Sequence, residues 1–262
     1  IETGETLLAP YVIKQIRGVR VAFIGAVLQE TPTIVTPSGV AGVAFIDEAD
    51  AINQQVTELQ RKGVRAIVVT IHQGSRQRFY SGPTEGEQSA LSGPISDIID
   101  RLDSEVDIVI SGHAHGFTNQ LVSNAKGKEI LITQAFSRGT AYADIDVAVD
   151  PKTGDIVEKS AGIMTTWADE GPGLSPNQAI ASMTDHAVKS VEVLVNAVIG
   201  SAAEAITRSA NDAGESALGN LIADAQRKAM ATDVAFMNPG GIRADLPAGD
   251  ITTKHRDYQI RF

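Results

Sequence analysis

The chain has 262 residues, of which 43% are hydrophobic and 21% charged, enough apolar material for one large domain or two ordinary ones. A net charge of −10 and a pI near 4.9 argue against a surface for a phosphate backbone, although a local basic site for a small anion stays open. With no cysteine, disulfides and thiolate ligands are excluded and any metal must be held by His, Asp, Glu, Asn or Gln; no apolar run approaches the ~18 residues of a membrane span.

In chain order, the sequence begins on Ile1 with an apolar run only a few residues in, and it reads as cut at its start. VAFIGAV (residues 21–27) is a buried strand. DEADAINQQVTELQRKG (residues 47–63) is a helix: acids open it, Ile52, Val56 and Leu59 share a face, Arg61 and Lys62 close it, and Gly63 takes the C′ position. The strand AIVVTI (66–71) follows, then a loop of about fifteen residues, long enough to suggest function. PISDIIDRL (94–102) is a short helix with Pro in its first turn, and DIVIS (107–111) a further strand. EILIT, ADIDVAVD and IVEKS, with PKTGD as a turn, read as antiparallel, so the sheet is mixed.

The composition changes at the Gly- and Pro-rich ADEGPGLSPNQ (168–178). A helix beginning with a capping box at Ser175 and running to Gly200 would span about 24 residues, roughly 36 Å, and read as a bridge between domains. GESALGNLIADAQRKAMATD is a second amphipathic helix, with Leu218, Leu221, Ile222, Ala225 and Ala229 on one face, and VAFMNPGGIRADL a strand breaking into a glycine turn. The expected domains are residues 1–167, a linker and bridging helix over 168–200, and the start of a second α/β domain over 201–262.

Three of the five histidines, His72, His113 and His115, follow the apolar strands AIVVTI and DIVIS and would stand at the carboxyl ends of adjacent parallel strands, where open α/β sheets place ligands. A lone histidine after a strand is ordinary, whereas three at one rim point to a site. In GHAHG the glycine turn lets two imidazoles project toward neighbouring points, as ligands to adjacent metal ions require. His186 and His255 read as surface residues.

IHQG (71–74) and SGHAHG (111–116) resemble the later metal-ligand motifs of calcineurin-like metallophosphoesterases. ALGNLIADA (217–225) with NPGGIRADL (238–246) resembles the C-terminal domain of bacterial 5′-nucleotidases, and ETPTIVTPSGVAG (30–42) also resembles this group. The order of these motifs is similar to the 5′-nucleotidase and 2′,3′-cyclic-nucleotide phosphodiesterase family across nearly the whole chain.

The resemblance implies the C-terminal part of a metallophosphoesterase mixed-sheet sandwich, a linker helix and the beginning of a second α/β domain. It implies a two-metal hydrolase of nucleotides, with His72 and His113 on one divalent ion (Zn, Mn or similar), His115 on the other, and a metal-bound hydroxide as nucleophile. The family's upstream Asp-x-His, bridging Asp and Asn-His elements find no counterpart, so a fragment with little activity is expected. Gln73 stands where many relatives carry an acid, which bears on tuning more than on ligation.

The resemblance assigns Asn238, Gly240, Gly241 and Arg243 to the nucleotide pocket: glycine backbone N–H groups can approach an anion, and Arg243 can present a planar fork. Asn220 is a packing or helix-start residue. The expected partner is a small nucleotide, with no nucleic-acid polymer, and the expected location is periplasm, cell wall or outside the cell. The alternatives are a non-catalytic nucleotide- or metal-binding module, or histidines that only pack.

Overall fold

The computed structural model describes residues 5–78, 83–84, 91–166 and 175–255. The chain divides into two compact units, Ile1–Gly171 and Pro172–Phe262.

In the first unit, β1 (Tyr11–Ile16) and β2 (Val19–Val27) form an antiparallel hairpin, followed by the short helix α1 (Thr31–Ile34) and a 3-10 turn at Pro37–Gly39 within the stretch 30–42. Helix α2 (Glu48–Arg61) leads to β3 (Ala66–His72), and β4 (Arg76–Gln77) pairs with β5 (Leu91–Ser92) ahead of α3 (Pro94–Arg101). Then come β6 (Ile108–Ile110), β7 (Phe117–Ser123), β8 (Glu129–Ala135), β9 (Ala141–Val149) and β10 (Ile156–Thr165). Six strands make one sheet in the order β1-β2-β3-β6-β8-β7, with β2, β3, β6 and β8 parallel and both edges antiparallel.

Both faces of this sheet are covered, and the alternation along each strand shows how. Ala22, Ile24, Ile67, Val69 and Val109 pack under Ile52, Val56 and Leu59 of α2 and Ile95, Ile98 and Ile99 of α3. Their neighbours Ala66, Val68, Ile108 and Leu131 face Ile156 and Ala161 of the β9-β10 hairpin. A strand buried on two faces needs a continuous apolar run, which is why AIVVTI reads as one. Helix α2 starts where its acids suggest: Asp47 is the N-cap and its carboxylate accepts from Asp50 N at 3.0 Å. Gly63 at φ +69° ends it.

In this unit two expectations change. Strand β7, FTNQLVS, is absent from the sequence reading because it is polar and yet buried: Thr118, Asn119 and Gln120 have no exposed surface. The chain leaves β6, runs out to the edge as β7, and returns as β8 between the two. The stretch EILIT, expected as antiparallel, is therefore parallel to β6 and antiparallel only to β7.

At the edge of the sheet away from the strand carboxyl ends, the fully buried Asp107 accepts from Ile67 N at 3.2 Å and pairs with Lys128 at 2.9 Å and Lys159 at 3.7 Å. Burial raises the Asp107 carboxyl and lowers the Lys159 ammonium from their ordinary values, against the mutual attraction of their charges. This ion cluster ties β3 and β6 to the start of β8 and to β10.

In the second unit, α4 (Gln178–Val195) is followed by β11 (Val198–Ala202), α5 (Ala217–Met230) and β12 (Gly249–Thr252). The α4 cap is Asn177, whose Oδ1 accepts from Ala179 N and Ile180 N, in place of the expected Ser175. The helix does not reach Gly200, because Val198–Ala202 pairs antiparallel with Gly249–Thr252, a non-local ladder that suits the β-branched Val198 and Ile199. Ser216 caps α5 by accepting from Gly219 N at 3.0 Å, and Leu218 and Ile222 bury against Ile242. Leu221 of the expected apolar face is 45% exposed. VAFM, expected as a strand, is irregular, with Phe236 90% exposed. Residues 167–174 of the Gly- and Pro-rich linker, most of the loop after β3, and residues 256–262 of the C-terminal stretch lie outside the described residues.

Candidate functional site

Strands β3 and β6 lie side by side in parallel, so the residues that leave their carboxyl ends meet at one rim. His72 is the last residue of β3, and the turn after β6 carries His113 and His115. Both of the latter have left-handed backbone, φ +67° for His113 and +55° for His115. Such conformations cost non-glycine residues of order 1–2 kcal/mol each and persist only where the surroundings impose them. Here Ala114 N bonds to Gly112 O at 2.8 Å, closing a tight turn that swings the imidazoles outward; all three histidines are exposed.

The loop after β3 is locked against this turn. Gly74 has no Cβ because Ala114 occupies the space: a Cβ there would stand 2.7 Å from Ala114 N and collide with Ala114 Cβ. Gly112 N reaches Gln73 O at 3.4 Å. Buried Ser75 shares a 2.7 Å hydroxyl bond with Thr118, and its carbonyl accepts from Gln134 Nε2 at 2.8 Å. Asn119 Nδ2 donates to Ala161 O, and its backbone N–H donates to Gln77 Oε1. The polar side chains of β7 and β8 thus hold the loop that carries the site, which accounts for a polar strand in a buried position. Sequence reasoning missed Ser75, Thr118, Asn119 and Gln134; a buried strand rich in Thr, Asn and Gln next to a histidine loop is the signal that could have found them.

The result is a convergence of two imidazoles. His113 Nδ1 lies 3.2 Å from His72 Nε2, with the rings nearly perpendicular at 73°. Two nitrogens about 2.05 Å from a tetrahedral ion stand roughly 3.3 Å apart, so this pair fits one divalent metal. Partial burial, followed by the positive charges that His72 and His115 can carry, lowers His113 below its ordinary value and favours the neutral, ligating form. His115 stands apart from the pair, and among the described residues no group of three or more His, Asp or Glu is placed to hold a metal ion. Gln73 is buried; its amide donates to buried Glu48 at 3.4 Å and its carbonyl accepts from Gly74 N at 3.0 Å. It therefore orients the loop rather than pointing at the histidines.

The second candidate set lies in the other unit. Asn238 opens a 3-10 turn, Pro239–Gly241, and its Oδ1 closes that turn on Gly240 N at 3.0 Å. Gly241 is buried, while Asn238, Gly240 and Arg243 are exposed. Of the remaining histidines, His186 is exposed as expected. His255 is not a plain surface residue: it is half-buried, and its Nδ1 accepts from Thr252 N at 3.0 Å.

The chain is similar to known proteins along most of its length. Residues 198–256 match the family model "5′-nucleotidase, C-terminal domain". The chain is 38% identical over 250 residues to "Endonuclease YhcR" of Bacillus subtilis (95% of this chain, 19% of the relative). It is 35% identical over 254 residues to "Cell wall protein Lmo0130" of Listeria monocytogenes (90% of this chain, 31% of the relative). Among solved structures, a 5′-nucleotidase precursor from Thermus thermophilus superposes with a TM-score of 0.67 at 26% identity, over 95% of this chain and 48% of that one. The chain thus spans between a fifth and a third of the length of these two curated relatives. Residues 198–256 thus match the 5′-nucleotidase C-terminal domain family, and the mixed α/β fold of the chain is similar to that of solved 5′-nucleotidases.

Proposed function

We propose that the chain contributes a metal-ligand rim and a nucleotide-recognition segment to a divalent-metal-dependent phosphohydrolase acting on nucleotides. The observation that carries this reading is the 3.2 Å approach of His72 Nε2 and His113 Nδ1 at the carboxyl ends of adjacent parallel strands. In this reading His72 and His113 hold one ion and His115 a second. A divalent ion, when bound, supplies positive charge to the phosphoryl oxygens and acidifies water.

The chain's own residues do the positioning. Gly74 and Ala114 fix the spacing of the two loops, and Ser75, Thr118 and Gln134 keep the rim rigid before any ligand arrives. In the other unit, Asn238 holds the turn by accepting from Gly240 N and Gly241 N, and the exposed Arg243 offers its guanidinium to a nucleotide beside that turn. Two nitrogens at one point hold a metal weakly, so the chain alone turns over little, and the parent protein acts outside the cytoplasm, in line with a relative named for the cell wall.

The test is phosphate release from AMP and from 2′,3′-cyclic AMP with Mn²⁺ or Zn²⁺, using this chain and the full-length product of its gene, each with and without His113→Ala. Activity of the full-length protein that His113→Ala abolishes is the expected result. Nucleotide binding without turnover in either protein would instead establish a binding module. A second reading, phosphodiester cleavage in a polynucleotide, is favoured by the 38% identity to a relative named as an endonuclease. A single-stranded oligonucleotide belongs in the same assay; the net charge of −10 predicts that it is the poorer substrate.

A further inference from the structure

We propose that Arg76 forms an anion subsite beside His115 that takes the phosphoryl group of a small nucleotide; this rests on the function proposed above and names a residue for its substrate end. Arg76 opens β4 and follows the locked Ser75, so its backbone is fixed by the Thr118 and Gln134 bonds at the preceding residue and by pairing with Ser92. Its side chain is exposed and its stem lies over Gly116, where a Cβ would sit 3.5 Å from Arg76 Cγ and 3.0 Å from Ser75 O. The glycine after His115 therefore makes room for the arginine.

Two hollows open at the rim, of about 300 and 360 Å³, and Arg76 lines both. His113 lines the first and His115 the second, so Arg76 shares one hollow with each histidine of GHAHG. The second hollow is also lined by Arg78, with no carboxylate among its described lining residues, whereas Glu30 lines the first; among the described residues no acid forms an ion pair with Arg76. In a chain of net charge −10, Arg76 and His115 side by side at one hollow offer positive charge to a small anion. A guanidinium offers a planar fork that matches two oxygens of a tetrahedral oxyanion.

The experiment titrates inorganic phosphate into the chain, without metal and at fixed ionic strength, following the ¹H–¹⁵N signals of the Arg76 and His115 side chains. Adenosine serves as the uncharged control. Arg76→Ala should weaken phosphate binding about tenfold, Arg76→Lys should fall between the two because it keeps charge and loses the fork, and adenosine should leave these signals unmoved. Lys126→Ala, which removes one charge in the β7–β8 turn at the other end of the strands, should leave the phosphate titration as it is. Mn²⁺ affinity is read on the same proteins and should depend on His113 but not on Arg76. Phosphate binding that is unsaturable, or equal in Arg76→Ala and the parent, would overturn the subsite. A Mn²⁺ affinity indifferent to His113→Ala would sink the metal reading while leaving the phosphate result standing on its own.

Discussion

Gly74→Ala tests whether the histidine rim is built by close loop packing. The φ of Gly74 lies outside the left-handed region, so alanine meets no backbone penalty and the cost is steric alone. The new Cβ would stand 2.7 Å from Ala114 N and 3.0 Å from Ala114 Cα, besides colliding with its Cβ. An ordinary contact of about 3.5 Å requires the two loops to separate by at least roughly 0.8 Å, and by more to clear the two Cβ atoms. Overpacking of this kind costs about 1–3 kcal/mol. With a urea m-value near 2 kcal/mol/M, the midpoint should fall by roughly 0.5–1.5 M. Denaturation is best followed through amide signals of β3 and β6, which report the first unit alone.

The same opening reaches the site, because His72 is two residues before Gly74 and His113 one before Ala114. A comparable change in the 3.2 Å nitrogen separation should lower Mn²⁺ affinity on the order of 10- to 100-fold. Adding Ala114→Gly removes the Cβ collision but leaves Ala114 N in place, so the double variant should recover only part of each loss. A Gly74→Ala protein with unchanged midpoint and unchanged Mn²⁺ affinity would refute the packing explanation.

Three further outcomes follow from the same geometry. Gln73→Glu would set a second carboxylate about where an amide now donates to buried Glu48 at 3.4 Å; a loss of about 1–3 kcal/mol at pH 7 that shrinks on acidification is expected from urea titrations at several pH values. Asp107→Ala should cost about 3 kcal/mol, since it strands Lys159, whose side chain is 10% exposed, and adding Lys159→Met should restore part of it; equal midpoints for the single and double variants would contradict this. Asp47 is held below its ordinary 3.8, first by its bond to Arg101 and then by the N–H of Asp50. A depressed carboxylate stabilises above the unfolded value and loses that contribution as pH falls through the folded one. The deficit of Asp47→Ala, about 1 kcal/mol at neutral pH, should therefore shrink as the pH falls below 3.8, whereas an Asp47→Asn protein should show no such acid-dependent loss at this position.

What could be read from the chain was local. Asp47, the 3.6-residue spacing of Ile52, Val56 and Leu59, and Gly63 define α2 almost to the residue, because cap, periodicity and stop agree within one helix. His72, His113 and His115 could be placed at one rim because continuous apolar runs mark parallel strands and loops leave them at a known end. The rest depended on partners distant in sequence. Val198–Ala202 carries on the helical pattern of α4 and becomes a strand only because Gly249–Thr252 lies beside it. FTNQLVS has the composition of a loop and is a buried strand because Ser75, Gln77 and Ala161 satisfy its polar groups. Arg76 looks like any surface arginine in the sequence. Its place at the two hollows that His113 and His115 line exists only once Gly74 has met Ala114 and Gly116 has left room for its stem, since a side chain's surroundings are set by contacts across the fold and not by its neighbours along the chain.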